Sequence, residues 1–330
     1  MNPLDILIFG GGLVLLIGGA WVLISGGTRV AAVMGVPPVV VGLTVVAFGT
    51  SAPELFVSIL GAMKGSSGLV LGNVVGSNVA NLGLILALAA IIRPVIVEKG
   101  LSRNEVPFTL AASAVFAWQV WDGTLSRLDA AVLVAGFVAF MGWTWRNRDR
   151  GALVPAAPEV QVAPDRRGRE MAVGGLMVAG GVIGLAGGGQ LIVDAAVRMA
   201  AAFGVSETVI GLTMVAVGTS LPELATTIVA AFRDEDDLAL GNIIGSNLFN
   251  ILAVAGPVGL VWGLNVEDGQ APLRQLPLAP SPNQLQLVSM LLVTLLVFVM
   301  IVLGRGKVGR LRGLLLLAVY AAIMFIWTTS

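Results

Sequence analysis

Residues 42–81 read GLTVVAFGTSAPELFVSILGAMKGSSGLVLGNVVGSNVAN, and residues 211–250 read GLTMVAVGTSLPELATTIVAAFRDEDDLALGNIIGSNLFN. The two stretches align without a gap at a constant offset of 169, with 21 of 40 positions identical. Shared apolar composition would match Leu, Val and Ala. Here Gly, Thr, Ser, Pro, Glu and Asn match, which marks an internal duplication. The offset carries upstream, pairing Gly18 and Gly19 with Gly187 and Gly188, Arg29 with Arg198, and Gly35 with Gly204.

The duplicated unit sits in a chain of 330 residues that is 57% hydrophobic and only 12% charged, well below the charged fraction of soluble domains. Apolar runs long enough to cross a hydrocarbon core of about 30 Å recur along it. Ten spans are predicted, at 4–25, 37–62, 68–92, 104–120, 128–146, 171–195, 206–231, 238–263, 285–303 and 312–328. The N-terminal segment lacks a basic leader and a small-residue cleavage site, so it reads as a retained first span. With the N-terminus outside, fifteen basic residues fall on the cytoplasmic side and Lys64, Arg127, Arg198 and Arg274 outside, as the positive-inside rule requires. Both termini are then expected outside a multi-pass inner membrane, with Trp118 and Trp121 anchored at an interface.

Ten spans and one duplication give five spans per half. Five is odd, so the second half enters the membrane from the opposite side. The expected fold class is therefore an all-α integral membrane protein of two inverted five-helix repeats with helices broken at mid-membrane, an architecture shared by many secondary transporters. The repeats are placed at residues 1–146 and 171–330. Residues 147–170, rich in Pro, Arg and small side chains, form a short cytoplasmic linker.

Cysteine and histidine are both absent. Disulfides, thiolate metal sites and His-activated nucleophiles are thereby excluded, so no enzyme is expected. Polar chemistry must come from carboxylates, amides, hydroxyls and backbone. Of the acidic residues, only Glu54 and Glu223 fall well inside predicted spans, at equivalent repeat positions. A carboxylate at a helix centre costs about 3 kcal/mol on insertion scales and needs a partner. No Lys or Arg lies at mid-membrane to provide one, so a bound cation is the economical counter-charge.

Neighbouring residues fit that reading. Ala47, Thr50, Ser51 and Glu54 share one helix stripe, as do Ala216, Thr219, Ser220 and Glu223. Ser77 and Asn81, and likewise Ser246 and Asn250, stand four residues apart. Pro53 and Pro222 lack the N–H that would bond the carbonyls of Gly49 and Gly218, so each helix should bend there. All these groups offer oxygen, the donor that hard cations prefer. Two carboxylates balance one divalent or two monovalent cations, and calcium suits a flexible all-protein cage better than magnesium does. Composition alone does not reach sodium. Asn73, Asn78, Asn242 and Asn247 read first as ties between helices, and the stretch Arg233 to Asp237 as a solvated turn.

The doubled motifs GTSAPE with GNVVGSN and GTSLPE with GNIIGSN resemble the two alpha repeats of the sodium/calcium exchangers of the cation/calcium antiporter superfamily, in their compact prokaryotic form. The resemblance covers effectively the whole chain. It implies that Glu54 and Glu223 are shared calcium and sodium ligands, that Thr50 and Thr219 give oxygens to calcium, and that Ser51, Ser77, Ser220 and Ser246 complete sodium sites. It implies carbonyl ligation by Ala47 and Ala216, three sodium ions per calcium, and a first and sixth helix that slide across the remainder. Asn250 stands where potassium-dependent relatives carry Asp, which implies potassium independence. The expected partners are calcium, sodium and the lipid bilayer, with no cofactor and no nucleic acid, and the expected state is a monomer. A proton-driven antiporter and a cation channel remain the competing readings.

Overall fold

The computed structural model describes residues 3–97, 99–147, 165–202, 218–265, 281–304 and 306–329. Ala216, the N-terminal part of the seventh expected span and most of the central linker lie outside them. The described chain is almost wholly helical. In order come α1 (Pro3–Met34), α2 (Pro38–Thr50), α3 (Ala52–Met63), α4 (Ser67–Ile92), α5 (Glu105–Gln119), α6 (Arg127–Arg146), α7 (Arg167–Ala202), α8 (Leu221–Phe232), α9 (Asp236–Trp262), α10 (Pro282–Leu303) and α11 (Arg310–Thr329). Among the described residues seven helices are long and apolar enough to cross a membrane, and the bent pair α2–α3 makes an eighth.

α1 and α7 are far longer than the spans expected at 4–25 and 171–195. At 1.5 Å per residue their 32 and 36 residues run about 48 and 54 Å, more than a hydrocarbon core, so they tilt or project beyond it. The helix runs on past residue 25, and several of its glycines serve the α1–α7 contact. A Cβ on Gly26 would come within 2.8 Å of the Gly174 carbonyl, one on Gly19 within 2.7 Å of Leu185 N, and one on Gly12 within 3.0 Å of the Gly188 carbonyl. Only glycine lets two backbones approach this closely. Arg29 meets Glu170 at 2.9 Å, and its repeat equivalent Arg198 meets Asp5 at 2.6 Å, so an ion pair closes each end of the seam.

Along this seam residue numbers rise on α1 as they fall on α7. Helices that the duplication makes equivalent therefore run antiparallel, as inversion requires. Two short ribbons repeat the symmetry: β1 (Val95–Ile96), after α4, pairs with β4 (Lys307–Val308), while β3 (Leu264–Asn265), after α9, pairs with β2 (Thr124–Leu125). Each half reaches across to the other at the end of its third span.

The main core is built on α4 and α9, whose inner turns are buried on nearly every side by α5, α6, α10 and α11. α1 and α7 lie apart from it and share a smaller core with the start of α2 and with α8. The lipid-facing surface carries Trp118, 77% exposed, consistent with an interfacial anchor.

A substitution at the seam checks this packing. Gly181→Ala would set a Cβ 2.5 Å from Leu23 N, and is expected to cost about 1–3 kcal/mol and lower the unfolding temperature in detergent. Gly180→Ala, with nothing within 4 Å, is expected to leave it unchanged or raised.

Candidate cation site

The GTSxPE stretches break their helices as the prolines demand. Ser51, at φ −84° and ψ 7°, leaves helical geometry, and α2 meets α3 at 44°. Ser220 repeats this with φ −89° and ψ 3°. Pro53 and Pro222 then occupy the first turn of a new helix, where no N–H is required. The break sets Glu54 and Glu223 in the first turns of α3 and α8, with their carboxylates turned inward.

A further distortion was not foreseen. Gly42–Val46 within α2, Asn81–Ile85 within α4 and Phe249–Ala255 within α9 are wide π-helical turns. Nothing in the residue pattern marks them, because a π turn keeps the same apolar composition as the helix around it. Their placement is informative, since one ends just before Ala47, one begins at Asn81 and one encloses Asn250. Such turns are rare and tend to sit at functional positions. Close packing holds them. A Cβ on Gly42 would meet the Leu238 carbonyl at 2.8 Å, and one on Gly245 the Leu43 carbonyl at 2.8 Å.

Glu54 and Glu223 are 1% and 0% exposed, and Ser51, three residues before Glu54, reaches the Glu223 carboxylate. Hydroxyls reach them crosswise from both halves. Ser51 Oγ donates to Glu223 Oε1 at 3.0 Å, and the hydroxyls of Thr50 and Ser246 also bear on Glu223. Ser77 Oγ donates to Glu54 Oε1 at 3.5 Å, joined by the Thr219 hydroxyl from the opposite half. Among the described residues neither carboxylate meets a basic side chain, and no three His, Cys, Asp or Glu cluster together. Two carboxyl groups thus sit together in a shell of neutral oxygens.

Several polar atoms in this shell are buried and, among the described residues, unpaired: Glu54 Oε2, Glu223 Oε2, Ser220 Oγ, Asn81 Oδ1 and both amide atoms of Asn250. Buried polar groups left without partners cost about 1–3 kcal/mol each, so an arrangement that strands several together fits a ligand. The Ala47 carbonyl is occupied in this conformation. It accepts from Ser51 N at 2.9 Å and from Thr50 Oγ1 at 3.3 Å.

Of the other asparagines, Asn73, Asn242 and Asn247 tie helices together, whereas Asn78 Nδ2 donates at 2.7 Å to the Val74 carbonyl of its own helix. Asn81 Nδ2 donates to Asn247 Oδ1 at 2.9 Å, and Asn247 Nδ2 to the Asn78 carbonyl at 3.4 Å, which links α4 to α9. Asn73 Nδ2 donates to the Glu54 carbonyl at 3.0 Å and to Ser58 Oγ at 2.9 Å. Asn242 does more than a tie. Its Oδ1 accepts from Thr50 Oγ1 at 3.0 Å while its Nδ2 donates to Thr227 Oγ1 at 3.4 Å, so it orients a hydroxyl of the chamber. The first Asn of each GNxxGSN motif carried that signal.

A cleft of about 250 Å³ opens onto one side of the chamber, lined by Pro53, Val57, Gly189, Gln190, Val193 and Thr219 among others. It lies between α7 and the broken helices, and Thr219 connects it to Glu54.

Comparison with known proteins agrees with this geometry. The family described as sodium/calcium exchanger protein matches residues 4–146 and 173–329. The sodium/calcium exchanger MaX1 of Methanosarcina acetivorans is 31% identical over 301 residues, covering 81% of this chain and 86% of that one. An uncharacterized membrane protein of Methanocaldococcus jannaschii is 33% identical over 320 residues, 97% of each chain. A structure of the sodium-calcium exchanger NCX_Mj, soaked with sodium and calcium, superposes with a TM-score of 0.81 at 32% identity over 98% of both chains.

The amide tie separates structural from ligand roles. Asn247→Ala strands Asn81 Nδ2 and removes the second donor to the Asn78 carbonyl, and is expected to cost about 2 kcal/mol. Thermal unfolding without added ions is the measurement, since a residue acting only as a ligand would lose little there.

Proposed function

The chain belongs to the sodium/calcium exchanger family of multi-pass membrane antiporters, and on that premise we propose that it exchanges sodium for calcium by alternating access to the chamber between Glu54 and Glu223. One observation carries the reading: two carboxylates from the two repeats are buried in one oxygen-lined space, where among the described residues neither meets a basic side chain. A single calcium ion cancels their charge. Thr50 and Thr219 are assigned as further calcium ligands, and the carbonyls of Ala47 and Ala216 to the flanking sodium sites. Ser51, Ser77, Ser220 and Ser246 flank the carboxylates and are assigned to sodium. Asn81 and Asn250 close the middle of the cage through their amide oxygens.

Antiport follows from the cost of the empty state. Moving a chamber that holds two bare carboxylates through its occluded form is too expensive, so the site crosses only when filled. Three sodium ions against one calcium carry one net charge, worth about 2.3 kcal/mol per 100 mV, so the membrane potential assists calcium export. Asn250 adds no negative charge, which supports potassium independence. The distribution of basic residues supports both termini outside and residues 147–170 in the cytoplasm. A monomer contains both halves of the site.

Radioactive calcium uptake into proteoliposomes tests the proposal. An outward sodium gradient is expected to drive uptake, without potassium and with a response to membrane potential. Uptake driven by a pH gradient in the absence of sodium would make the chain a proton antiporter, and flux without a trans ion would make it a channel. Glu54→Gln and Glu223→Gln are each expected to abolish uptake, and near-normal uptake by either would end the ligand assignment. In chelator Glu54→Gln is expected to unfold at a higher temperature than the parent, because it removes carboxylate repulsion. Calcium should then stabilise the parent and leave the variant unmoved.

A further inference from the structure

The two flanks of the chamber differ. On one, α8 packs on α1, and Ala225, Val229 and Ala230 share a buried core with Leu16, Ala20 and Ile24. Arg233, the residue that follows α8, closes the end of this seam. Its Nη1 donates to Ser25 Oγ at 2.6 Å and to the Trp21 carbonyl at 3.3 Å, and its guanidinium lies 4.2 Å from the centre of the Trp21 ring. The sequence suggested a solvated turn here. A turn with Asp234 exposed is what forms, with Asp234 paired to Arg93, and within it Arg233 also clasps α1.

On the other flank the equivalent seam, between α3 and α7, is parted by the cleft. Phe56 is 63% exposed there, whereas its equivalent Ala225 is 8% exposed. The duplication identifies what closure of this seam would join. An offset of 169 makes Lys64 the counterpart of Arg233, Asp194 that of Ser25 and Gln190 that of Trp21. Lys64 follows α3 as Arg233 follows α8, is exposed, and has no ion-pair partner among the described residues. Asp194 sits on α7 next to Val193 of the cleft lining and accepts at 2.8 Å from Nε2 of Gln190, which lines the cleft. A cation at the end of α3 and an anion on α7 thus occupy the positions that the offset of 169 makes equivalent to the clasp of the closed seam.

We propose that Arg233 on Ser25 and Trp21 is the latch of this conformation, and that Lys64 and Asp194 form its reciprocal, an ion pair made when the α3–α7 seam closes and the α1–α8 seam opens. α1 and α7 carry both exchanges together, because the glycine seam and the pairs Arg29–Glu170 and Arg198–Asp5 bind them into one unit. The chemistry of the two latches differs accordingly. Guanidinium can fork onto neutral oxygens and stack on an indole, while an ammonium, a compact point charge, engages best with a carboxylate. The proposal rests on the antiporter reading and adds the device that holds each of its end states.

Charge reversal and cross-linking test it. Lys64→Asp and Asp194→Lys are each expected to slow sodium-driven calcium exchange several-fold, and the double variant to return it to within about twofold of the parent. Single variants that transport normally, or a double variant no faster than either single, would overturn the latch. The chain has no cysteine, so Lys64→Cys with Asp194→Cys can be treated with a short, reducible thiol cross-linker without background. Cross-linking is expected during turnover, arresting exchange until reduction, and no cross-linked product would also overturn the latch. A parent that lacks sodium-driven uptake would defeat the exchanger reading, while the cross-link, which reports position and not transport, would still decide whether Lys64 and Asp194 meet.

Discussion

Two carboxylates that are buried together and, among the described residues, meet no basic side chain are the constraint around which this protein is organised. Neither could persist ionised in a dry interior without compensation. What surrounds them is partial compensation only: hydroxyls of Ser51 and Ser77 donate to one oxygen of each pair, and the other oxygen of each is left bare. An interior that satisfied both acids fully would be more stable and would have no reason to take up an ion. The deficit left at the centre matches the charge of the cargo.

Backbone geometry follows from the same demand. A regular helix has no carbonyl or N–H to spare, so oxygen-rich chambers at membrane depth need interrupted helices. Here the interruptions at Ser51 and Ser220 are accompanied by π turns next to Ala47, at Asn81 and around Asn250. The bulk of the core, on α4 and α9, holds these distortions in register, with Gly42 and Gly245 letting α2 and α9 touch backbone to backbone.

Much of this was legible in the residues, because duplication supplied an internal alignment. A constant offset with matching Gly, Pro, Glu and Asn gave the inverted halves, the broken helices and the pairing of Glu54 with Glu223. Several features escaped for physical reasons. α1 and α7 outran their expected ends because glycine in a membrane can mark close helix contact as readily as a terminus, and the partner helix decides which. Asn242 and Asn247 looked alike in sequence, yet one orients Thr50 and the other bridges α4 to α9, a distinction that depends on the direction in which each side chain points. Arg233 looked like part of a solvated acidic turn; the turn is there, and only the fold shows that its side chain lies against Trp21, distant in sequence.

The asymmetry between the flanks is a consequence of symmetry in the sequence. Two inverted copies of one fold must be able to exchange conformations, since whatever packing α8 makes on α1 has its counterpart for α3 on α7. Both seams cannot be closed around an empty pair of carboxylates without burying their repulsion, and both cannot be open without a leak. One closed seam and one cleft satisfy both limits. The shared α1–α7 unit links them, because the same rigid pair of helices forms one wall of each. Such a pair can be held tightly within itself, by glycine contact and terminal ion pairs, and lightly against the rest, by a few polar contacts at each end. That division of strong and weak interactions is what allows a membrane protein to move one unit by sliding while its ion cage, anchored in α4 and α9, keeps its shape.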